Sequence, residues 1–176
     1  MKKISLFLFF LLALFGLSVV DFSAVAQTKF YYDGIGFDYE KGWKINNFQR
    51  NDTSFVNGFS TSAPMSFANK VQSLFVLKSK DIGISDEEFF EKLKSFTISQ
   101  KRLKVKYISE ITDRKINGIV AKSIDIEYKK NGYLRVYRFT KSNFEIQVIL
   151  SSNKLAEFDY DFWTILNSFT FENDSN

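Results

Sequence analysis

The sequence predicts an α+β domain in which a central antiparallel sheet is flanked by helices. Three observations carry that expectation. Runs of β-branched and aromatic residues recur with period-two alternation and are punctuated by turn residues such as Asn117-Gly118 and Asn131-Gly132. A capping signature at Ser85-Asp86-Glu87-Glu88 opens an amphipathic segment in mid-chain. A second helical spacing of apolar residues, Leu155, Phe158, Phe162, Ile165, Leu166 and Phe169, closes the chain.

Residues 1–26 read as a secretory signal peptide. Lys2 and Lys3 precede the apolar run Ile4–Leu17, and a more polar stretch ends in Ala24-Val25-Ala26. Asp21 interrupts the run before it reaches the ~20 apolar residues of a membrane span. Cleavage is expected after Ala26, leaving residues 27–176 as one domain with no integral span. The chain has no cysteine, so a lipid-modified N-terminal cysteine is excluded, and the expected location is periplasmic or secreted.

The elements follow in order. Gln27–Tyr32 is a lead-in strand. Ile35–Tyr39 alternates as a half-buried strand, and Glu40-Lys41-Gly42 turns the chain into Trp43-Lys44-Ile45, which reads as a hairpin. Ser54–Ser62 and Val71–Lys78 are strands joined by a segment holding the only proline, Pro64. Ser85 caps a helix whose apolar stripe is Phe89, Leu93 and Phe96. Leu103–Thr112, Ile119–Lys129, Tyr133–Lys141 and Phe144–Ser151 form a meander with a turn at Ser142-Asn143. The closing helix spans the 155–169 stripe, and the polar end from Glu172 is a frayed tail.

Composition narrows the chemistry. The absence of histidine removes imidazole as a general base and as a zinc or copper ligand. Without cysteine as well, Ser–His and Cys–His nucleophiles are excluded, and a metal site would need oxygen ligands, as calcium or magnesium accept. The net charge of +4 is too mild to indicate nucleic-acid binding. No cofactor is implied.

Four groups of residues stand out. Arg102, Lys104 and Lys106 alternate with Leu103, Val105 and Tyr107, so they form either a docking strip for an anionic partner or membrane surface, or a solvated, charge-protected edge. Tyr133, Arg135 and Tyr137 share one strand face, with Arg138 on the other, as a ligand or partner surface or as a cross-strand pairing surface. Glu157, Asp159 and Asp161 are a calcium candidate or the charged side of a helix. Tyr31, Tyr32, Tyr39 and Trp43 line a sugar or peptide groove or cover the core.

Taken in order, Gly36-Phe37-Asp38-Tyr39-Glu40-Lys41-Gly42-Trp43, the capped Ser85-Asp86-Glu87-Glu88-Phe89, the hairpin Ile116-Asn117-Gly118-Ile119 and the closing Ile165-Leu166-Asn167-Ser168-Phe169 resemble the PsbP-like superfamily. Relatives often carry proline after the tyrosine of the first motif, where this chain has Glu40. The resemblance implies an α/β/α sandwich around an antiparallel sheet. It implies no single activity: the name-giving members are photosynthetic accessory subunits, a nuclear-import factor shares the fold, and exported bacterial members look like accessory or binding modules. None of the photosynthetic family's functional residues has a matching position here. The expected function is therefore a non-enzymatic accessory or binding module of the cell envelope, docking a protein partner or a small ligand. The alternatives are a carboxylate-based hydrolase and a peripheral membrane-associated protein.

Overall fold

The computed structural model describes residues 27–50, 53–61, 71–80, 83–100, 104–129, 132–141 and 143–171. Residues 1–26, where a signal peptide is expected, Pro64, Arg102, Asn131, Ser142 and the tail from Glu172 lie outside the described residues.

The chain starts with β1 (Gln27–Tyr32) and β2 (Ile35–Glu40), an antiparallel hairpin. Its turn is Asp33-Gly34, with φ of +48° and +72°. Positive φ at both central residues gives the turn the twist that suits a two-residue hairpin, and Asp-Gly tolerates it. The Glu40–Gly42 turn is present too: the Trp43 N–H donates to the Glu40 carbonyl at 3.4 Å, and Gly42 has φ of +107°. It does not close a hairpin. It carries the chain from the small sheet to β3 (Lys44–Arg50), the first strand of the large one.

The large sheet continues with β4 (Thr53–Thr61) and β5 (Val71–Lys80). After α1 (Asp86–Ser99) come β6 (Val105–Ile108), β7 (Thr112–Ile116), β8 (Ile119–Tyr128), β9 (Tyr133–Lys141) and β10 (Phe144–Ser152). Strand order is β3-β4-β5-β10-β9-β8, and all pairs are antiparallel. The outer edge of β8 is shared: β6 pairs with its end and β7 with its beginning. The expected strand over 103–112 is thus two short strands. Between them Ser109 keeps the ladder closed, its N–H donating to the Asp125 carbonyl and its hydroxyl accepting from the Asp125 N–H, both at 2.9 Å.

The closing helix is likewise broken. A 3-10 turn at Leu155–Glu157 leads into α2 (Phe158–Asp161) and α3 (Trp163–Ser168), and β11 (Thr170–Phe171) then pairs with β2. The break is at Phe162, which leaves helical geometry (φ −105°, ψ 6°) while its ring stays fully buried. Apolar spacing alone fits one helix; burial of Phe158, Phe162, Ile165 and Phe169 in one core is reached instead by a kinked path.

These findings correct the expected architecture of a central sheet flanked by helices, the α/β/α sandwich. The chain is mostly antiparallel β-structure. One face of the large sheet meets the three-stranded sheet β1-β2-β11 and the C-terminal turns, where Phe37 stacks on Phe169 at 6.4 Å and Phe139 meets both Phe169 and Phe171 edge-on. Among the described residues one long helix, α1, lies on the other face, Phe90 sitting among Ile124, Ile126 and Val136. Residues 27–40 were expected to contribute to one sheet; their β1–β2 hairpin instead forms a second layer, so sheet rather than helix covers much of the first face.

Within α1, the Glu88 N–H donates to the Ser85 hydroxyl at 3.1 Å, as a capping residue requires. Glu88 turns to Lys92 at 2.6 Å. The buried stripe runs through Phe90 and Thr97 with Leu93 half-buried, and Phe96 points to solvent at 63% exposure.

Candidate docking surface

The alternation along β9 correctly separates Tyr133, Arg135 and Tyr137 from Arg138, but both sets are buried. Arg135 fastens the inner layer. Its Nε donates to Asp125 at 2.6 Å, one terminal nitrogen donates to the Tyr133 hydroxyl at 3.2 Å, and the other bonds Asp159 on α2. The guanidinium lies 4.9 Å from the Phe158 ring centre, an attractive cation–π contact. Arg114 reaches the same Asp125 carboxylate at 2.6 Å. Burial alone would raise the Asp125 carboxyl; hydrogen bonds from Arg135 and Tyr133 and the two arginine charges outweigh it and hold the group below its ordinary value. Burial, with the Asp125 carboxylate alongside, pushes the Tyr133 phenol up to about 12. Tyr137 is also pushed up by burial.

Arg138 does the same on the opposite face. It donates to Glu145 and to the Ile84 carbonyl, each at 3.0 Å, and bonds Asp86 at the start of α1. Phe89 packs 5.0 Å from its guanidinium. Burial opposes its charge, yet hydrogen bonds from the guanidinium to Glu145 and Asp86 keep it firmly protonated. On the inner face Lys78, also buried, pairs with Asp33 at 3.3 Å and lies 4.5 Å from the Phe144 ring centre.

Of the basic strip, Arg102 lies outside the described residues, Lys104 is exposed, and Lys106 is exposed and paired with Glu127 at 2.7 Å. A register shift between Val105 and Tyr107 breaks the regular alternation there. In the acidic group only the Asp159 side chain is described, and it serves Arg135. Among the described residues no three carboxylates converge as a cation site, and no helix is long and apolar enough to cross a membrane. Tyr32, Tyr39 and Trp43 pack on the core, Trp43 edge-on to Phe162 at 5.9 Å, while Tyr31 is exposed.

The surface that the residue patterns did not single out lies on the α1 side of β3, β4 and β5. Phe48 stacks on Phe55 with ring centres 4.7 Å apart and planes 9° from parallel, and Phe75 follows at 6.0 Å. These rings belong to neither buried cluster. Phe48 is 49% exposed, and Phe59, with Lys44 at 5.7 Å from its ring centre, is 44% exposed. The signal was present in Phe55-Val56-Asn57-Gly58-Phe59: Phe55 and Phe59, with Asn57 between them, lie on the face opposite the buried Val56.

This arrangement is a PsbP-like fold. The solution structure of cyanobacterial PsbP (CyanoP) from Synechocystis sp. PCC 6803 matches with a TM-score of 0.51 and 14% sequence identity, covering 84% of this chain and 94% of that one. The crystal structure of LpqN, involved in cell envelope biogenesis of Mycobacterium tuberculosis, matches with a TM-score of 0.46 and 11% identity, covering 84% of this chain and 91% of that one. The likeness is one of fold. No family model matches the sequence, and neither does any curated protein.

Proposed function

We propose that the chain is an exported, non-enzymatic accessory module of the cell envelope that docks a protein partner on the outer face of β3, β4 and β5. The observation that carries this reading is the incomplete cover of the large sheet. α1 packs over β8 and β9 and reaches Ile149 on β10, while the Phe48–Phe55–Phe75 row beyond it stays partly open to solvent. A partly exposed aromatic row beside exposed polar residues such as Asn46 and Asn57 suits a protein interface.

The use made of the buried charges supports a structural rather than a hydrolytic role for them. Asp125 and Glu145 are each bound by an arginine and lie on opposite faces of the sheet, so they do not face one another across a cleft. Tyr133, Arg135 and Tyr137 act as internal fastening, and Lys104 and Lys106 are left as auxiliary surface contacts. The small-ligand and membrane alternatives have no comparable feature in their favour.

A photo-cross-linking amino acid placed at Phe48 or Phe59 in the native host tests this. A discrete protein adduct at these positions, absent at the still more exposed Trp163, is the expected result. Adducts at Trp163 with none at Phe48 or Phe59 would overturn the assignment of the face.

A further inference from the structure

The two edges of the large sheet are finished differently. At one, β8 is covered by two short strands with a register shift between Val105 and Tyr107 and a break at Ser109–Ile111. Lys106, Asp113, Arg114 and Lys115 place charges along it. Short strands, irregular register and charge are the usual devices that keep an edge from pairing.

The other edge, β3, has few of them. It pairs with β4 through an unbroken seven-residue register and, among the described residues, with no other strand. Six of its seven residues are exposed. Its centre, Ile45-Asn46-Asn47-Phe48-Gln49, holds no charge, no proline and no bulge. An edge strand directs the backbone donors and acceptors that its neighbour does not use outward, ready for another chain. Charge sits only at its two ends, Lys44 and Arg50, and both are positive. Phe48 continues from this edge into the aromatic row.

We propose that β3 is a strand acceptor: an extended segment of a partner protein, acidic at both ends and apolar at alternate positions between, adds to the large sheet along β3 and lays side chains over Phe48. The proposal rests on the docking reading above and names the class of partner. Main-chain pairing supplies the affinity in such complexes, and the flanking charges set the register. A second copy of this chain fits poorly. Antiparallel self-pairing centred on Asn47 would set Lys44 against Arg50 at both ends, and like charges directly opposite one another destabilise a strand pair.

The test uses the protein in the form its host accumulates and six labelled peptides. They are ETVTVTE, whose valines fall on the face shared by Lys44, Phe48 and Arg50, its lysine-ended counterpart KTVTVTK, and each of these with alternate amides N-methylated along one edge or along the other. Fluorescence anisotropy reads the binding. The expected result is at least tenfold tighter binding of ETVTVTE than of KTVTVTK, loss of binding on N-methylation of one of the two edges, and reversal of the preference in the K44E/R50E variant. No binding, equal binding of both charge types, or binding that survives N-methylation of both edges in turn would overturn the acceptor assignment. So would a concentration-dependent dimer that forms through β3. If the Phe48 and Phe59 cross-links persist while the peptides show none of these dependences, the face docks a partner without strand addition. If the cross-links fail as well, the docking reading falls with it.

Discussion

The two halves of the large sheet's outer face carry similar side chains and meet different fates. On β8, β9 and β10, Ile124, Ile126 and Val136 lie under Phe90, and Arg138 clasps the start of α1. On β3, β4 and β5, Phe48 stacks on Phe55 and Phe55 tilts against Phe75, and α1 does not extend over them. Apolar content therefore does not distinguish core from surface here. The position of one 14-residue helix does.

Substitutions that remove that helix's hold should act most strongly. Phe90→Ala empties a fully buried site and is expected to cost about 3–5 kcal/mol in urea unfolding. Arg138→Met leaves Glu145 as a buried carboxylate without its cation. A loss on the order of 3 kcal/mol is expected, with recovery in the R138M/E145L pair, and equal losses in the single and paired variants would sink the explanation. Across the sheet, the inner clasp should show itself as acid sensitivity. Asp125 is held below its ordinary 3.8, so its contribution is present at neutral pH and is lost as pH falls through that value toward the lower folded one. Unfolding midpoints followed from pH 6 to pH 2 should flatten in Asp125→Asn. The smallest effect belongs to the open half: Phe48→Ala should lower stability by only about 1 kcal/mol, the scale of a surface aromatic pair, while abolishing the cross-link to a partner from Phe59.

Much of the local structure was legible in the sequence. Asn117-Gly118 makes a hairpin turn with both residues at positive φ, and Ser85 caps α1, because these outcomes depend on neighbours a few residues away. What a face packs against was not legible. Period-two alternation put Tyr133, Arg135 and Tyr137 together and could not reveal that Asp125 and Asp159 arrive from β8 and α2 to bury them. The Glu40–Gly42 turn shows the same ambiguity, since a tight turn serves a hairpin and a crossing between sheets equally well, and it is the Asp33-Gly34 turn that closes the hairpin. The aromatic row escaped for a related reason. β5 is apolar on both faces, with Leu74 and Val76 inward and Phe75 and Leu77 outward, so its pattern does not say which face a helix will cover.

The pairing of β11 with β2 sets an order of events for a chain that is made N-terminus first. β1 and β2 can close their hairpin early, yet β2 waits for its second neighbour, and the Asp38 N–H waits for the Ser168 hydroxyl across a separation of 130 residues. Until residues 168–171 emerge, Phe37 and Phe139 lack the Phe169 ring that both meet. Closing so long a loop is entropically slow, so the half-made layer is the stage at which a chaperone or protease would find this protein most exposed.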